Sequence, residues 1–355
     1  MIATLKNIWN NANAHKGMRF SLCILFVWLF VALCAPVIES WFGLGYANLQ
    51  PEHGLLPPLS QNDGSYYILG TDYLGRDLLS GMIHGARVAF VVAFVSVCLS
   101  LLLGLSVGLI IGFYRDNGIR KNLLQQLTIY ILIIVELYYI ISMMKEGLNR
   151  YNIVPFLGLL VLGIGLEKAF AVLPIKKYGV PLDIIMQRLF ELREGLPGLF
   201  IILSIAAIVS SPSIYSVALI ISILYWMTFA RHARAETMHI KEEDYIMSAH
   251  SSGISDMRLL YYHILPNAMP SIFVIIAFTF GAVILLESSL SFLGIGLPVE
   301  EVSWGKILAG ARRSPKAWWL AVFPGMAIFL VLFAFNNLAD FFAQYQRRID
   351  ANENI

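Results

Sequence analysis

EEDYIMSAHSSGISDMRLLYYHILPN, residues 242–267, lies between two strongly apolar runs, and its reading decides the fold of the rest of the chain. Its three leading carboxylates, Glu242, Glu243 and Asp244, suit the first turn of a helix, where free backbone N–H groups and the dipole favour negative charge. Small residues follow at Ser248, Ala249, Ser251 and Ser252, so another surface can come close to this backbone. Gly253 suits the left-handed turn that ends a helix. Ser255 is placed to cap a second short helix running to about His263. Pro266 and Pro270 are expected to stop that helix and open the next apolar run, since proline is tolerated in a first helical turn. Two short helices joined by a glycine turn make a hook built to meet another protein.

The flanking runs place the hook at a membrane. Of 355 residues, 58% are hydrophobic and 14% charged, against about 25% charged in soluble domains. The expectation is an all-α integral membrane protein. A net charge of +2 gives no case for nucleic-acid binding. Cys23, Cys34 and Cys98 fall in or beside apolar runs and read as small core residues, not as a disulfide or metal framework. The run from Phe20 to Ile38 is long enough to span and lacks an Ala-x-Ala cleavage cue, so it reads as a retained first helix.

Residues 1–19, with Lys6, Lys16 and Arg19, form a basic segment on the cytoplasmic side. Residues 39–87, rich in Gly, Pro, Asn and Tyr, are expected to fold as an ordered external cap. A second span, Val88–Tyr114, carries Gly104, Gly108 and Gly112 on one helical face, a spacing that lets helices pack closely in lipid. Residues 123–175 then hold two apolar runs, Leu123–Met144 and Ile153–Ile175. Glu136 sits within the first and costs about 2.5–3.5 kcal/mol there, against about 3–5 kcal/mol contributed by the Ile, Leu and Val residues between Ile129 and Ile141. Glu167 and Lys168 in the second are adjacent and can neutralise each other or snorkel. A span follows over Leu189–Val209, with Glu191, Arg193 and Glu194 at its start facing a bundle interior or aqueous cavity. Ser210, Ser211, Pro212 and Ser213 turn it into Ile214–Ala230. The cytoplasmic loop covers 231–269, a span runs from Pro270 to Leu286, and the last extends to about Phe335. Residues 88–340 are thus a transmembrane core and 341–355 a cytoplasmic tail. Segments placed inside hold 15 Lys and Arg and those placed outside hold 8, which puts both termini inside. Lys306, Arg312, Arg313 and Lys316 run against that rule.

Several blocks carry a family resemblance. Ala249, Gly253 and Ile264-Leu265-Pro266 have the spacing of the EAA loop of ABC-importer permease subunits, with Met247-Ser248-Ala249 where the family has Glu-Ala-Ala. Glu243-Asp244-Tyr245 and His263-Ile264-Leu265-Pro266-Asn267 resemble its dipeptide/oligopeptide branch. Leu69-Gly70-Thr71-Asp72-Tyr73-Leu74-Gly75-Arg76-Asp77 followed by Gly85-Ala86-Arg87 is similar to the LGTDxxGRD…GAR block. Glu287-Ser288-Ser289-Leu290-Ser291-Phe292-Leu293-Gly294 is similar to LExSLSFLG, and Ser303-Trp304-Gly305 and Ala317-Trp318-Trp319 to the SWG and AWW segments. The resemblance implies the transmembrane domain of a type I ABC importer, of the C-type subunit: six family spans plus the hairpin at 123–175, about eight in all. It implies a B-type permease partner, two ATPase subunits that bind ATP and Mg, and an extracytoplasmic solute-binding protein. It also implies that the hook docks in a cleft of the ATPase. In the residues themselves, Gly70 and Gly75 permit tight turns, Asp72, Arg76 and Asp77 can form a local charge and hydrogen-bond network, and Glu287 with Ser288 is a candidate for lining the path or a hydrogen-bonded structural carboxylate.

Other chemistry is missing from the chain. No GxxxxGK[ST] is present to cradle ATP phosphates, so ATP work belongs to a partner and no cofactor is expected here. His232, His239, His250 and His263 crowd the hook, but their spacing does not put them on one helical face as a zinc site requires. No GxSxG elbow marks a hydrolase. The expected activity is import of di- or oligopeptides. Its alternatives are a permease for nickel chelates or another small solute, an ion-coupled transporter working alone, and a scaffold that tethers an ATPase.

Overall fold

A computed structural model describes residues 16–42, 50–62, 65–116, 118, 120–146, 150–173, 175, 177–208, 213–298 and 300–353. The N-terminal basic segment up to residue 15 and the turn residues Ser210, Ser211 and Pro212 lie outside the described residues. In chain order the helices are α1 (Lys16–Phe42), α2 (Leu78–Tyr114), α3 (Leu123–Glu146), α4 (Arg150–Ala171), α5 (Leu182–Gly195), α6 (Gly198–Ile208), α7 (Ile214–Lys241), α8 (Asp244–Ser251), α9 (Asp256–Leu259), α10 (Leu265–Phe292), α11 (Trp304–Ala311) and α12 (Trp319–Glu353). Two short antiparallel ribbons accompany them, β1 (Ser60–Asn62) with β2 (Ser65–Tyr67) and β3 (Arg120–Asn122) with β4 (Lys177–Gly179). Among the described residues six helical stretches are long and apolar enough to cross a membrane: Gly17–Ile38, Leu78–Tyr114, Ile153–Ala171, Ile214–Lys241, Asp256–Phe292 and Trp319–Arg347. The chain is an all-α membrane domain.

The chain divides into two compact units. The first comprises Met1–Leu101, Pro212–Tyr225 and Met269–Ile355. Here α1 packs along α12 through Met18 and Leu22 against Leu338, Phe341 and Phe342. Trp28 stands edge-on to Phe90 and Phe335. Hydroxyls buried in this unit find backbone acceptors: Ser96 Oγ donates to the Ala218 carbonyl at 2.9 Å and Ser100 Oγ to that of Ser222 at 3.1 Å. Such interhelical hydrogen bonds help hold helices together where lipid removes the hydrophobic driving force. A further core of Leu78, Val302, Ile307, Ala317, Trp319 and Leu320 seats α11.

The second unit comprises Leu102–Ser211 and Trp226–Ala268. The glycine row lets α2 and α7 touch backbone to backbone: a Cβ on Gly104 would lie 2.3 Å from the Trp226 carbonyl oxygen, and one on Gly108 2.4 Å from that of Ala230. The hairpin at 123–175 forms as α3 and α4, and its base is closed by the second ribbon, in which Arg120 faces Gly179. Asn122 and Gln125 form a reciprocal cap at the start of α3, each accepting from the other's backbone N–H at 2.9 and 3.1 Å. Their side-chain amides also donate to the last carbonyls of α4, Asn122 to Phe170 at 2.6 Å and Gln125 to Glu167 at 3.2 Å. One pair of residues thereby serves both open helix ends. Glu167 pairs with Lys121 across the base, not with its neighbour Lys168, which is exposed. Consecutive residues on a helix point about 100° apart, so the neighbour could not turn back to meet it. Both carboxylate oxygens of Glu136 are buried and have no hydrogen-bond partner among the described residues.

Four expected boundaries change. The span over Leu189–Val209 is not one helix: α5 ends at Gly195, Leu196 is extended, and α6 begins after Pro197, whose ring and missing N–H end the preceding helix. Glu191, Arg193 and Glu194 therefore sit at the end of the amphipathic α5, where Glu191 pairs with Arg188 at 2.7 Å and Glu194 with Arg231. Pro266 and Pro270 do not stop the second hook helix. A π-turn over Leu260–Ile264, closed by the Leu265 N–H on the Leu260 carbonyl, carries α9 into α10 without a break. The extra residue of a π-turn relieves the ladder just where Pro266 supplies no N–H. The last ten residues assigned to the cap are already the first turns of α2, and α12 continues past Asp340 to Glu353.

Candidate functional site

The hook is an amphipathic corner with its apolar residues on both sides. Glu243 holds the N-cap position of α8 with Asp244 in its first turn. Gly253 has φ +85° and closes the turn, and Ser255 holds the N-cap position of α9, although its hydroxyl makes no capping bond. Ile246, Leu259, Leu260 and Ile264 are buried. Tyr245, Met247, Met257, Tyr261 and Tyr262 point outward, with Tyr261 60% and Tyr262 76% exposed. Ser248 and Pro266 are exposed too, while Ala249, His263 and Leu265 are half-buried. Asn267 Nδ2 donates to the Tyr245 hydroxyl at 2.6 Å, and His250 Nε2 stands 3.5 Å from Asp256 Oδ1 across the glycine turn. The result is a braced element that presents aromatic and thioether side chains to its surroundings. Among the described residues no group of three His, Cys, Asp or Glu could hold a metal.

Sequence reasoning missed a joint in the same unit as this corner. Asp183, in the first turn of α5, is buried and receives both Nε and Nη2 of Arg234 on α7, the latter at 2.8 Å. Gln187 Nε2 donates to the same carboxylate at 2.9 Å. The Arg234 hydrogen bonds hold the Asp183 carboxyl below the usual carboxylate range against the opposing cost of burial. Asp116 Oδ1 accepts the N–H groups of Asp183 at 3.0 Å and Ile184 at 3.2 Å, so α2, α5 and α7 are tied at one point. Arg231 pairs with Glu194 and lies over the Phe190 ring. The only trace in the sequence was an aspartate beside a helix start and two arginines three residues apart.

The cap block is built differently. Gly70 and Gly75 have φ +86° and +73°. A Cβ on Gly75 would lie 1.7 Å from the Gln50 carbonyl oxygen, so no other residue fits. Thr71 Oγ1 donates to the His53 carbonyl at 2.6 Å and accepts from Leu56 N at 2.8 Å. Asp72 Oδ1 accepts the N–H groups of Leu74 at 2.8 Å and Arg76 at 2.9 Å. Asp77 Oδ2 accepts from Ser80 N at 2.8 Å and caps α2, while burial pushes its carboxyl upward. Trp319 Nε1 donates to the Thr71 carbonyl at 3.0 Å. Glu287 is 1% exposed and takes hydrogen bonds from Ser291 Oγ at 2.7 Å and Ser288 Oγ at 3.3 Å. Ser288, also buried, lies where Gly305 passes too close for any side chain, a Cβ there falling 2.1 Å from its carbonyl oxygen.

Comparison with known proteins gives a consistent result. The model of a family described as binding-protein-dependent transport system inner membrane component matches residues 160–348. A dipeptide transport system permease protein of Alkalihalophilus pseudofirmus is 26% identical over 96% of this chain and 88% of its own length. A di/tripeptide transport system permease protein of Pseudomonas aeruginosa is 28% identical over 95% and 89%. A glutathione transport system permease protein of Shigella flexneri is 37% identical over 44% of this chain and 52% of its own.

Proposed function

Because the chain belongs to the family of binding-protein-dependent transport system inner membrane components, we propose that it is one of two permease subunits of an ATP-driven importer of di- or oligopeptides. The similar proteins named for dipeptide, di/tripeptide and glutathione transport support that substrate class. In this reading both termini and the hook face the cytoplasm, a B-type permease completes the pathway, two ATPase subunits bind ATP and Mg, and a solute-binding protein delivers peptide outside. The chain itself does no hydrolysis. Closing of the ATPase dimer moves the hook, and the hook moves α7 and α10, with which it is continuous, so that the bundle alternates access.

The observation that carries the reading is the outward set Tyr245, Met247, Met257, Tyr261 and Tyr262 on a corner whose opposite side is locked by buried aliphatic residues. Aromatic side chains exposed on a braced element have the composition of interaction hot spots. The missing family glutamate at Met247 replaces a charge by an apolar contact and leaves this arrangement intact.

The test is ATPase activity of the purified complex in lipid, with and without binding protein and a peptide mixture, for wild type and for Tyr261→Ala/Tyr262→Ala. Stimulation by binding protein plus peptide is expected in wild type. The double variant is expected to hold its ATPase subunits at least tenfold more weakly, as loss of about 2 kcal/mol at a hot spot implies. Purification of the wild-type chain without any ATPase subunit would overturn the reading.

A further inference from the structure

The hairpin of α3 and α4 is closed by a ribbon that is fastened to both helices. Gln126 Nε2 donates to the carbonyls of Lys121 on β3 at 3.2 Å and Tyr178 on β4 at 3.3 Å, which ties both strands to α3. Asn122 ties the same ribbon to α4 through the Phe170 carbonyl. Arg120 stands opposite Gly179 and Asn122 opposite Lys177, so Arg120 and Lys177 share one face of the ribbon. As diagonal neighbours they lie about 7–8 Å apart. Both are exposed, and neither pairs with a carboxylate among the described residues. Lys121, next to Arg120, does pair, with Glu167. Two like charges held this close repel each other until an anion comes between them.

The helices that the ribbon closes fix its height. β3 runs directly into α3, and α4 ends at Ala171, shortly before β4. Only 6% of the membrane-crossing stretch Ile153–Ala171 is buried inside the chain. The ends of such a stretch lie at the level of the lipid headgroups, and the ribbon closes one of those ends. Apolar side chains continue past the last turn of α4: Val172 is 84% exposed, and Leu173 and Ile175 are 40% exposed each. Lys168, in that last turn, is exposed too, and its stem can carry the ammonium to the same level. The Tyr178 ring on β4 is also exposed. Exposed aliphatic side chains followed by Lys, Arg and Tyr have the composition of the boundary between acyl chains and headgroups.

We infer that Arg120 and Lys177 seat the phosphate of an anionic lipid headgroup, with Val172, Leu173 and Ile175 resting against its acyl chains. A phosphate between a guanidinium and an ammonium accepts charge-assisted hydrogen bonds from both and removes their repulsion. Topology alone asks only for positive charge somewhere near a helix end. Here two unpaired cations are fixed on one face of a fastened ribbon, beside side chains that lipid covers. In the proposed topology this leaflet is cytoplasmic, but the seat is independent of what the protein transports. An acidic soluble protein is the competing occupant, and it would have to displace lipid from the three aliphatic residues.

The experiment titrates phosphatidylglycerol into the detergent-purified protein and measures bound lipid by native mass spectrometry, with zwitterionic phosphatidylcholine as the comparison. Wild type is expected to hold phosphatidylglycerol more tightly than phosphatidylcholine. Arg120→Gln/Lys177→Gln is expected to weaken the tightest phosphatidylglycerol binding by about fivefold for each cation removed. The swap Arg120→Lys/Lys177→Arg keeps both charges and is expected to stay near wild type, which separates lost charge from a disturbed ribbon. Arg188→Gln, at an exposed cation that pairs with Glu191, is expected to change nothing. Glycerol phosphate, which has the headgroup's charge without acyl chains, is expected not to displace the lipid; full displacement would reassign the seat to a soluble phosphate. Equal retention of the two lipids by wild type, or phosphatidylglycerol binding unchanged in the glutamine variant, would overturn the inference. An acidic protein that binds wild type and is lost from the glutamine variant, with lipid binding unchanged, would give the ribbon to a protein partner instead.

Discussion

The cap block at Gly70–Asp77 and the hook at Asp244–Ile264 both announce themselves in the sequence, yet they are built on opposite plans. In the cap, residues with reactive side chains turn inward: Thr71 and Asp72 are buried and spend their oxygens on backbone groups. In the hook, Tyr245, Met247, Met257, Tyr261 and Tyr262 turn outward while Ile246, Leu259, Leu260 and Ile264 are buried, and the carboxylates ride on exposed helix starts. A motif of charged residues thus marks a scaffold and a motif of apolar residues marks a contact surface. Burial decides the difference, because a polar group removed from water must be satisfied in place, whereas an exposed aromatic side chain gains only when a partner covers it.

The contrast is broken most severely at Gly75. Replacing it by alanine sets a methyl group against the Gln50 carbonyl and puts an L-residue at φ +73°. The turn cannot form without moving backbone, at a cost on the order of 3–5 kcal/mol. Limited proteolysis of reconstituted protein is expected to cut the cap of Gly75→Ala and spare the wild type. An intact cap would show that the turn tolerates rearrangement and that the scaffold reading is too strict.

A smaller effect separates the two regions by pH. Asp183, in the same unit as the hook, has its folded pKa depressed by Arg234, so its contribution is present above the unfolded value of about 3.9 and is lost as pH falls through the lower folded value. Asp77, in the cap, has its folded pKa raised by burial, so the unfavourable contribution it makes at neutral pH is relieved as pH falls. Asp183→Asn is expected to lower the thermal midpoint at pH 7, since removing one partner of a buried pair costs about 3 kcal/mol, and its difference from wild type is expected to shrink as the pH falls below about 4. Asp77→Asn keeps a capping oxygen and is expected to be neutral or slightly stabilising at pH 7. Equal pH dependence in both variants would contradict the opposite shifts.

Much of this was legible in residue type and spacing. The Gly104, Gly108 and Gly112 row announced a close helix contact, and Gly70, Gly75 and Gly253 announced their turns, because both signals are local or periodic. What stayed hidden depends on pairing across the chain. Asp183 meets Arg234 over 51 residues and Lys121 meets Glu167 over 46, distances at which sequence offers no register. Pro197 did carry a local signal, and the apolar run around it concealed the break between α5 and α6. The continuity of α9 into α10 through prolines was not legible, since a π-turn leaves no composition of its own.

The finest test of the contrast is at Gly253, a left-handed glycine like Gly75 but with no atom within 4 Å of the place a Cβ would occupy. Only the backbone conformation opposes substitution, at about 1–2 kcal/mol. Gly253→Ala is therefore expected to leave global stability nearly unchanged, while the ratio of closed to open turn falls about fivefold for each kcal/mol. The measurement is the concentration of binding protein that half-maximally stimulates ATPase, expected to rise by a similar factor. Asparagine tolerates φ > 0 better than other side chains, so Gly253→Asn should recover most of the wild-type response. If alanine and asparagine behave alike, the hook's function does not depend on this turn, and its outward residues act without the brace that distinguishes it from a loose loop.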